Sequence, residues 1–413
     1  MPPRTVLQVN KFHHPRAGAE TVYLQTRALL MEHGHNVMDF AMEHPDNIAS
    51  PTSPYFGPRR SYDGSGGVLR RASDAITSIY SPSARAALGK LLDHERPDVA
   101  HLHNIYHQLT LSVVDELHRR GVPMVMTLHD WKVACPAYTL YTEGAPCRRC
   151  PEHGVHNVIR HRCVKGSRAA SAVAAVEATV AKARGSYGRV QRFIAPSAFG
   201  AEVAVLGGIA PERIDVVPNF LTDDELATAG ERDTSAPVLM YAGRLDATKG
   251  IRPLIEAFNN VPGTDAQLRI AGAGELEPEV RAAAARDPRI VYLGRLPREE
   301  LFAELRRARA LLLPSLWEDN GPLVLLEAQA MGVATIVSDR GGPPEFVQED
   351  ESGLVVSPQD VPALTRAMHA LLEDRALADR LGRGARARVE RDHSAARHYE
   401  QLMLVYDRAT GDG

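Results

Sequence analysis

Residues 310–339 read ALLLPSLWEDNGPLVLLEAQAMGVATIVSD, and the order of their parts decides the fold. The run "ALLLPS" is short, continuous and apolar, the pattern of a strand covered on both faces. A polar loop follows, then "LVLLEAQAMG" with helical spacing, then "VATIVSD", a second buried strand rich in β-branched residues. Two such strands joined through a helix make a parallel crossover, the unit from which α/β sheets are wound.

The rhythm continues outward. Upstream lie strand "PVLMYAGRL" (237–245), helix "IRPLIEAFNNV", strand "QLRIAGAG", helix "PEVRAAAARD", strand "IVYLGRL" and helix "REELFAELRRA"; downstream the closing helices follow "VPALTRAMHALLED". An earlier series begins with strand "TVLQVN" (5–10), helix 18–34 and strand 35–42, and includes strands "DVAHLH", "PMVMTLHD" and "RFIAPS". Between the series, "PNFLTDDELATAGERDTSAP" is polar and reads as an interdomain linker. The expectation is two doubly wound, Rossmann-like α/β domains, 1–218 and 237–393, joined by linker 219–236. Ligand sites then belong at the carboxyl ends of the strands, where the domains face one another across a cleft. Residues 50–75, rich in Gly, Pro and Ser, read as a mobile surface loop.

A chain of 413 residues is long for one core, so two domains suit its length. Residues 1–218 hold 25 Lys/Arg against 19 Asp/Glu, which leaves 23 against 32 for the remainder. That balance is too mild for a nucleic-acid partner. The start lacks a signal-peptide pattern, and no stretch approaches ~18 uninterrupted apolar residues, so a cytoplasmic protein is expected.

The strand "VLMYA" runs into "GRLDATKG" (243–250), placing Gly243, Arg244 and Lys249 at a strand's carboxyl end before a helix. A guanidinium, an ammonium and free helix-start amides suit a diphosphate; a βα loop with solvated charges is the plain alternative. In the quoted stretch, Glu318 and Asp319 precede a helix onset near Pro322, while Glu327 lies inside the helix, about one and a half turns along. Asp319 and Asn320 also fit a helix cap. Glu327 does not, because it interrupts an apolar run and a buried carboxylate needs a partner.

These motifs, with "RAGAETVYLQTRALLMEHGHNV", "DVAHLHN", "MVMTLHD", "FIAPSAFG" and "VVPNF" in order before them, resemble the retaining glycosyltransferases of family 4, including bacterial members with a cysteine-bearing insert. The resemblance implies the GT-B fold, a nucleotide-diphosphate-sugar donor of UDP or GDP type and a hydroxyl acceptor. By the same resemblance Arg244 and Lys249 form a diphosphate clamp, Glu327 binds the ribose, and Asp319, or its neighbour Glu318, contacts the donor sugar. The loop at Asn320, Gly321, Pro322 and Leu323 lies against sugar hydroxyls, with Pro322 supplying shape but no N–H. Where the family carries Gly-Gly, this chain has Ala17-Gly18, leaving close backbone approach to Gly18. Glu20 belongs either to the acceptor side or to the helix as its cap. His129 resembles the histidine that reaches the transferred sugar; His101, His103, Asn104 and Tyr106 sit at another strand end and suit an acceptor pocket. The last helix, 394–413, is expected to pack back onto the first domain. No catalytic metal is implied.

All four cysteines, Cys135, Cys147, Cys150 and Cys163, fall within one insert, 135–163. A Cys-x2-Cys pair flanked by single cysteines suits a structural zinc site, with an iron–sulfur cluster as the rival. The basic run that follows (Arg160, Arg162, Lys165, Arg168, Lys182, Arg184, Arg189, Arg192) suits either peripheral docking on anionic lipid or a solvated helical face. Two other functions stay open: a GT-B sugar-nucleotide epimerase, and a non-catalytic sugar-nucleotide-binding protein.

Overall fold

The computed structural model describes residues 2–60, 68–227, 232–263 and 265–411. The chain divides into two compact units: one formed by Met1–Thr142, Cys147–Val217 and His398–Gly413, the other by Glu143–Pro146 and Pro218–Arg397. Stretch 219–236, read above as a linker, lies inside the second unit and carries a short helix, Asp223–Ala227, and a bridge from Leu221 to Ser394. Polar composition marked it as a connection, but among its described residues Leu221 is held by that bridge and Asp223–Ala227 by helix.

In the first unit, β1 (Thr5–Val9), β2 (Asn36–Phe40), β3 (Val99–Leu102) and β4 (Met124–Thr127) precede the cysteine insert, whose short strand β5 (Tyr141–Thr142) is followed by β6 (Ala145–Pro146), grouped with the second unit. Then come β7 (Arg192–Ala195) and β8 (Ile214–Val216). The sheet order is β2-β1-β3-β4-β7-β8, with every pairing parallel. Helix α1 (Gly18–Glu32) connects β1 to β2. The region expected as a loop, 50–75, holds a 3-10 turn at Ser53–Tyr55 and the start of helix α2 (Val68–Ile79); residues 61–67 lie outside the described residues.

In the second unit, β9 (Val238–Ala242), β10 (Gln267–Ala271), β11 (Ile290–Gly294), β12 (Ala310–Leu313), β13 (Ala334–Ser338) and β14 (Leu354–Val356) form a parallel sheet ordered β11-β10-β9-β12-β13-β14. Strands β9, β12 and β13 are buried along their whole length, which is why they read as unbroken apolar runs.

Each order contains one switch point, where the chain leaves one side of the sheet and resumes on the other. It lies between β1 and β3 in the first unit and between β9 and β12 in the second. The loops that leave those strands lie at the carboxyl ends next to the switch point, the expected place for a ligand in an open α/β sheet.

Candidate active site

At the second switch point, the loop after β9 and the loop after β12 are zipped together. The Leu316 amide donates to the Thr248 carbonyl at 2.8 Å, and that of Trp317 to the same oxygen at 3.2 Å. Gly250 makes the approach possible: its φ is +73°, and a Cβ there would lie 1.8 Å from the Pro314 carbonyl oxygen. Asp246 caps the short turn Ala247–Lys249 through the Thr248 amide at 2.9 Å. Consequently the Lys249 ammonium meets the Asp319 carboxylate, with 15% of either side chain exposed. Burial alone would raise the Asp319 pKa, yet the ammonium and the Asn320 amide outweigh it and hold the carboxyl below its ordinary value. Arg244 stands more open, 65% exposed, with Asp246 at 3.1 Å. Both cations face the Trp317 ring, Lys249 at 4.9 Å and Arg244 at 5.9 Å from its centroid, and the Trp317 side chain also helps to keep Asp319 ionised.

The helix α3 (Leu323–Ala330) begins after Pro322, and its Leu323 and Val324 amides donate to no described group. Gly321 is pinned beneath it: Asn219 donates to the Gly321 carbonyl at 2.8 Å, and a Cβ at Gly321 would lie 3.0 Å from the Phe346 ring. Asn320 is buried and Glu318 half-buried in the same loop. Glu327, as its place in an apolar run demanded, has a partner: Arg298, 2.8 Å from its Oε1, whose guanidinium is shared with Glu225. Burial nevertheless outweighs that charge, so the Glu327 carboxyl titrates above its ordinary value. Its second oxygen takes no hydrogen bond from a described residue.

In the first unit, the loops after β1 and β3 are joined similarly, with the Lys11 amide donating to the Asn104 carbonyl at 2.9 Å and the Asn104 amide to Asn10 Oδ1 at 2.9 Å. His103, Asn104, Tyr106, His129 and Asp130 line one pocket there with Thr127 and Leu128. His129 is half-buried and its Nε2 lies 3.0 Å from His103 Nδ1; burial, assisted by the charge of Lys11, lowers its pKa to about 4. Burial likewise lowers Lys11 and raises Asp130, which receives the Lys132 amide at 2.9 Å. Gly18 opens α1, and a Cβ there would meet nothing within 4 Å, so the glycine leaves open space. Glu20 is buried in the first turn, but no side chain caps that helix at Ala17. As the acid of that first turn, Glu20 stands where a carboxylate complements the positive end of the helix dipole.

The four cysteines line a second pocket of the chain, with Leu140, Pro151 and Val158 among its walls. Burial and the neighbouring sulfurs push the Cys150 thiol up to about 12. Among the described residues, the His/Cys/Asp/Glu group whose ligand atoms all lie within 4.8 Å of one another is His14, His44 and Asp46, so no three of the cysteine sulfurs are gathered that closely. Of the basic run, Arg184 and Arg189 pair with Asp115, and Arg192 with Asp215, which removes three cations from any free basic face. No described helix is long and apolar enough to cross a membrane.

Sequence reading missed Arg298, Trp317, Asn219 and Gln8. Only the unexplained burial of Glu327 hinted at Arg298, since a carboxylate in an apolar run implies a cation somewhere.

Comparison with known proteins fits this geometry. The model of Glycosyltransferase Family 4 matches residues 16–225, and that of Glycosyl transferases group 1 matches 223–388. A glycogen synthase of Mycobacterium tuberculosis is 32% identical over 279 residues; the match covers 65% of this chain, which spans just under two thirds of that relative. The D-inositol 3-phosphate glycosyltransferase of Pseudarthrobacter chlorophenolicus is 28% identical over 96% of this chain and 92% of its own. Anabaena HepE, solved in complex with UDP-glucose, superimposes with a TM-score of 0.67 at 15% identity, covering 97% of this chain and 98% of that one. The two doubly wound sheets are thus those of the GT-B fold.

Proposed function

Because the chain belongs to family 4 of the glycosyltransferases, we propose that it moves a sugar from a nucleotide-diphosphate donor to a hydroxyl acceptor with retention at the anomeric carbon. The observation that carries this reading is the meeting of Lys249, Asp319 and Trp317, with Arg244 beside them, at the second sheet's switch point. Arg244, Lys249 and the free Leu323 and Val324 amides stabilise negative charge on the departing diphosphate. Glu327 takes the ribose hydroxyls on the oxygen that Arg298 leaves free, and Asp319 the donor sugar. Gly18 leaves room for the donor phosphate, and His129 reaches the transferred sugar. The acceptor hydroxyl attacks the face from which the diphosphate leaves, so no protein nucleophile is needed. Glu20, His103, Asn104 and Tyr106 belong to the acceptor side.

The cysteine pocket is proposed to hold structural zinc. Four thiolates are a fitting donor set, and tetrahedral ligation at ~2.3 Å asks for sulfurs roughly 3.8 Å apart. The pocket must therefore contract around the ion.

Thermal shifts with UDP-, GDP- and ADP-sugars test the donor, since a ligand at about 100 times its Kd stabilises by about 2.7 kcal/mol. Release of nucleotide diphosphate that rises with a hydroxyl acceptor, and an α-configured product from an α-donor, are expected. Release of diphosphate with a rearranged free sugar would mean an epimerase, and no shift or release with any donor would sink the reading.

A further inference from the structure

Parallel sheets are ordinarily apolar inside, yet the first unit's sheet buries Gln8 on β1, His101 on β3 and Thr127 on β4, with Tyr406 from the last helix beside them. They form one unbroken chain of contacts with the site histidine. His129 Nε2 lies 3.0 Å from His103 Nδ1, and His103 Nε2 lies 2.9 Å from Gln8 Oε1. Gln8 Nε2 then lies 3.4 Å from the Tyr406 hydroxyl, which is 2.8 Å from His101 Nδ1, and His101 Nε2 is 2.7 Å from Thr127 Oγ1. The rings of His103 and His129 are stacked, their centroids 5.2 Å apart.

Burial holds all three histidines far below their usual pKa, so each is neutral at pH 7 and has one N–H and one lone pair. The proton positions then follow in order. Gln8 Oε1 can only accept, so the proton of His103 is on Nε2. His103 Nδ1 is consequently a lone pair, which takes the Nε2 proton of His129. That leaves His129 Nδ1 bare, and no described residue bonds to it. At the other end, the Gln8 amide donates to Tyr406, whose hydroxyl donates to His101, and His101 donates to Thr127. Gln8 is the member whose two ends differ, so its orientation sets the direction of the whole chain; turned over, it would make His129 present an N–H instead.

We propose that Gln8 and His103 are positioning residues that lock His129 in its Nε2–H tautomer, so that His129 offers a lone pair on Nδ1 and accepts a hydrogen bond from a hydroxyl of the transferred sugar. The inference rests on the reading of His129 given under the proposed function. It adds a specificity class: sugars with a hydroxyl at that point are accepted, and those with a carboxylate or no substituent there are disfavoured, because neither can donate.

The test uses the full chain with 15N-labelled histidine and a two-bond nitrogen–proton correlation at pH 7. The chain has 17 histidines, and a His129→Gln variant identifies the His129 signals by their loss. Expected are a protonated Nε2 and an unprotonated Nδ1 for His129. Gln8→Leu removes the acceptor, moves the His103 proton to Nδ1 and reverses His129, with kcat/KM for hydrolysis of the donor that gives a thermal shift falling at least tenfold. A merely structural Gln8 would lower the melting temperature without reversing the tautomer. An Nδ1–H signal for His129 in the unaltered chain overturns the proposal, even if Gln8→Leu fails to fold. Full donor turnover by His129→Gln would instead overturn the sugar contact, and with it the reading of His129, while leaving the tautomer result standing.

Discussion

Lys249 holds Asp319 in the chain as it stands, and the proposed chemistry asks the same ammonium to face a diphosphate. The two roles separate in a double-mutant cycle of Lys249→Met and Asp319→Asn. Removing one partner of a buried ion pair costs ~3–5 kcal/mol; with 15% of each side chain exposed, water softens this to roughly 2–3 kcal/mol for either single change. The double variant leaves no uncompensated charge and recovers most of that loss. Activity behaves differently: deleting one donor that stabilises the leaving group costs ~2.7–4 kcal/mol of barrier, about 10²–10³ in kcat/KM, and the double variant stays that low. The pH dependence has a worked sign. In the unaltered chain the Asp319 pKa is lowered, so its contribution is present above the unfolded value and lost as pH falls through the folded one. In Lys249→Met, the largest opponent of burial is gone and only the Asn320 amide and Trp317 still favour the carboxylate, so the pKa is expected to rise, with the penalty present at neutral pH and relieved on acidification. The chain has two tryptophans, Trp131 in the first unit and Trp317 beside Lys249; a Trp131→Phe background lets urea unfolding be followed from Trp317 alone. Donor hydrolysis gives the activity. A double variant with kcat/KM within threefold of the parent would refute the diphosphate role, and a Lys249→Met cost below about 0.5 kcal/mol would refute the buried pair.

Three shorter expectations follow from other sites. Gly250→Ala combines a positive φ with a Cβ 1.8 Å from Pro314 O, so it should cost more than ~2 kcal/mol and lower activity by displacing Lys249; urea melts that superimpose on the parent would contradict this. The purified chain should contain about one zinc, and Cys150→Ser should lose it with a fall in melting temperature; elemental analysis showing less than about half an equivalent in undamaged protein would count against the site. His101 is 2% exposed and titrates at about 3, below its unfolded value of about 6.5, so the unfolded state binds its proton first as pH falls. Its burial should therefore withdraw roughly 2 kcal/mol of stability between pH 7 and pH 5, a slope that His101→Asn should flatten in urea titrations at the two pH values.

The alternation of apolar runs with helical spacing ordered five strands of each sheet along the chain, because period and length are local properties of the backbone, but the three-residue edge strands β8 and β14 are too short to carry a period and were missed. It also placed Arg244, Lys249, Asp319 and His129 at strand ends. Polar composition hid the bridge at Leu221, the short helix Asp223–Ala227 and the start of α2 at 68–75, since a solvated sequence can still be held by backbone pairing or wound into helix. Which charges meet was another matter. Lys249 and Asp319 are 70 residues apart and touch only because β9 and β12 are neighbours at the switch point, a fact of strand order that no local pattern carries. Arg298 reaches Glu327 from another helix for the same reason. Gln8 and Tyr406 look unremarkable in the chain, and Tyr406 is 398 residues from Gln8. Composition and periodicity thus determined two α/β units and the chemical types at their strand ends, because those depend on nearest neighbours. Partner choice and proton placement were decided by the sheet order and burial, because a hydrogen bond depends on where atoms lie in space and on the water that folding removes.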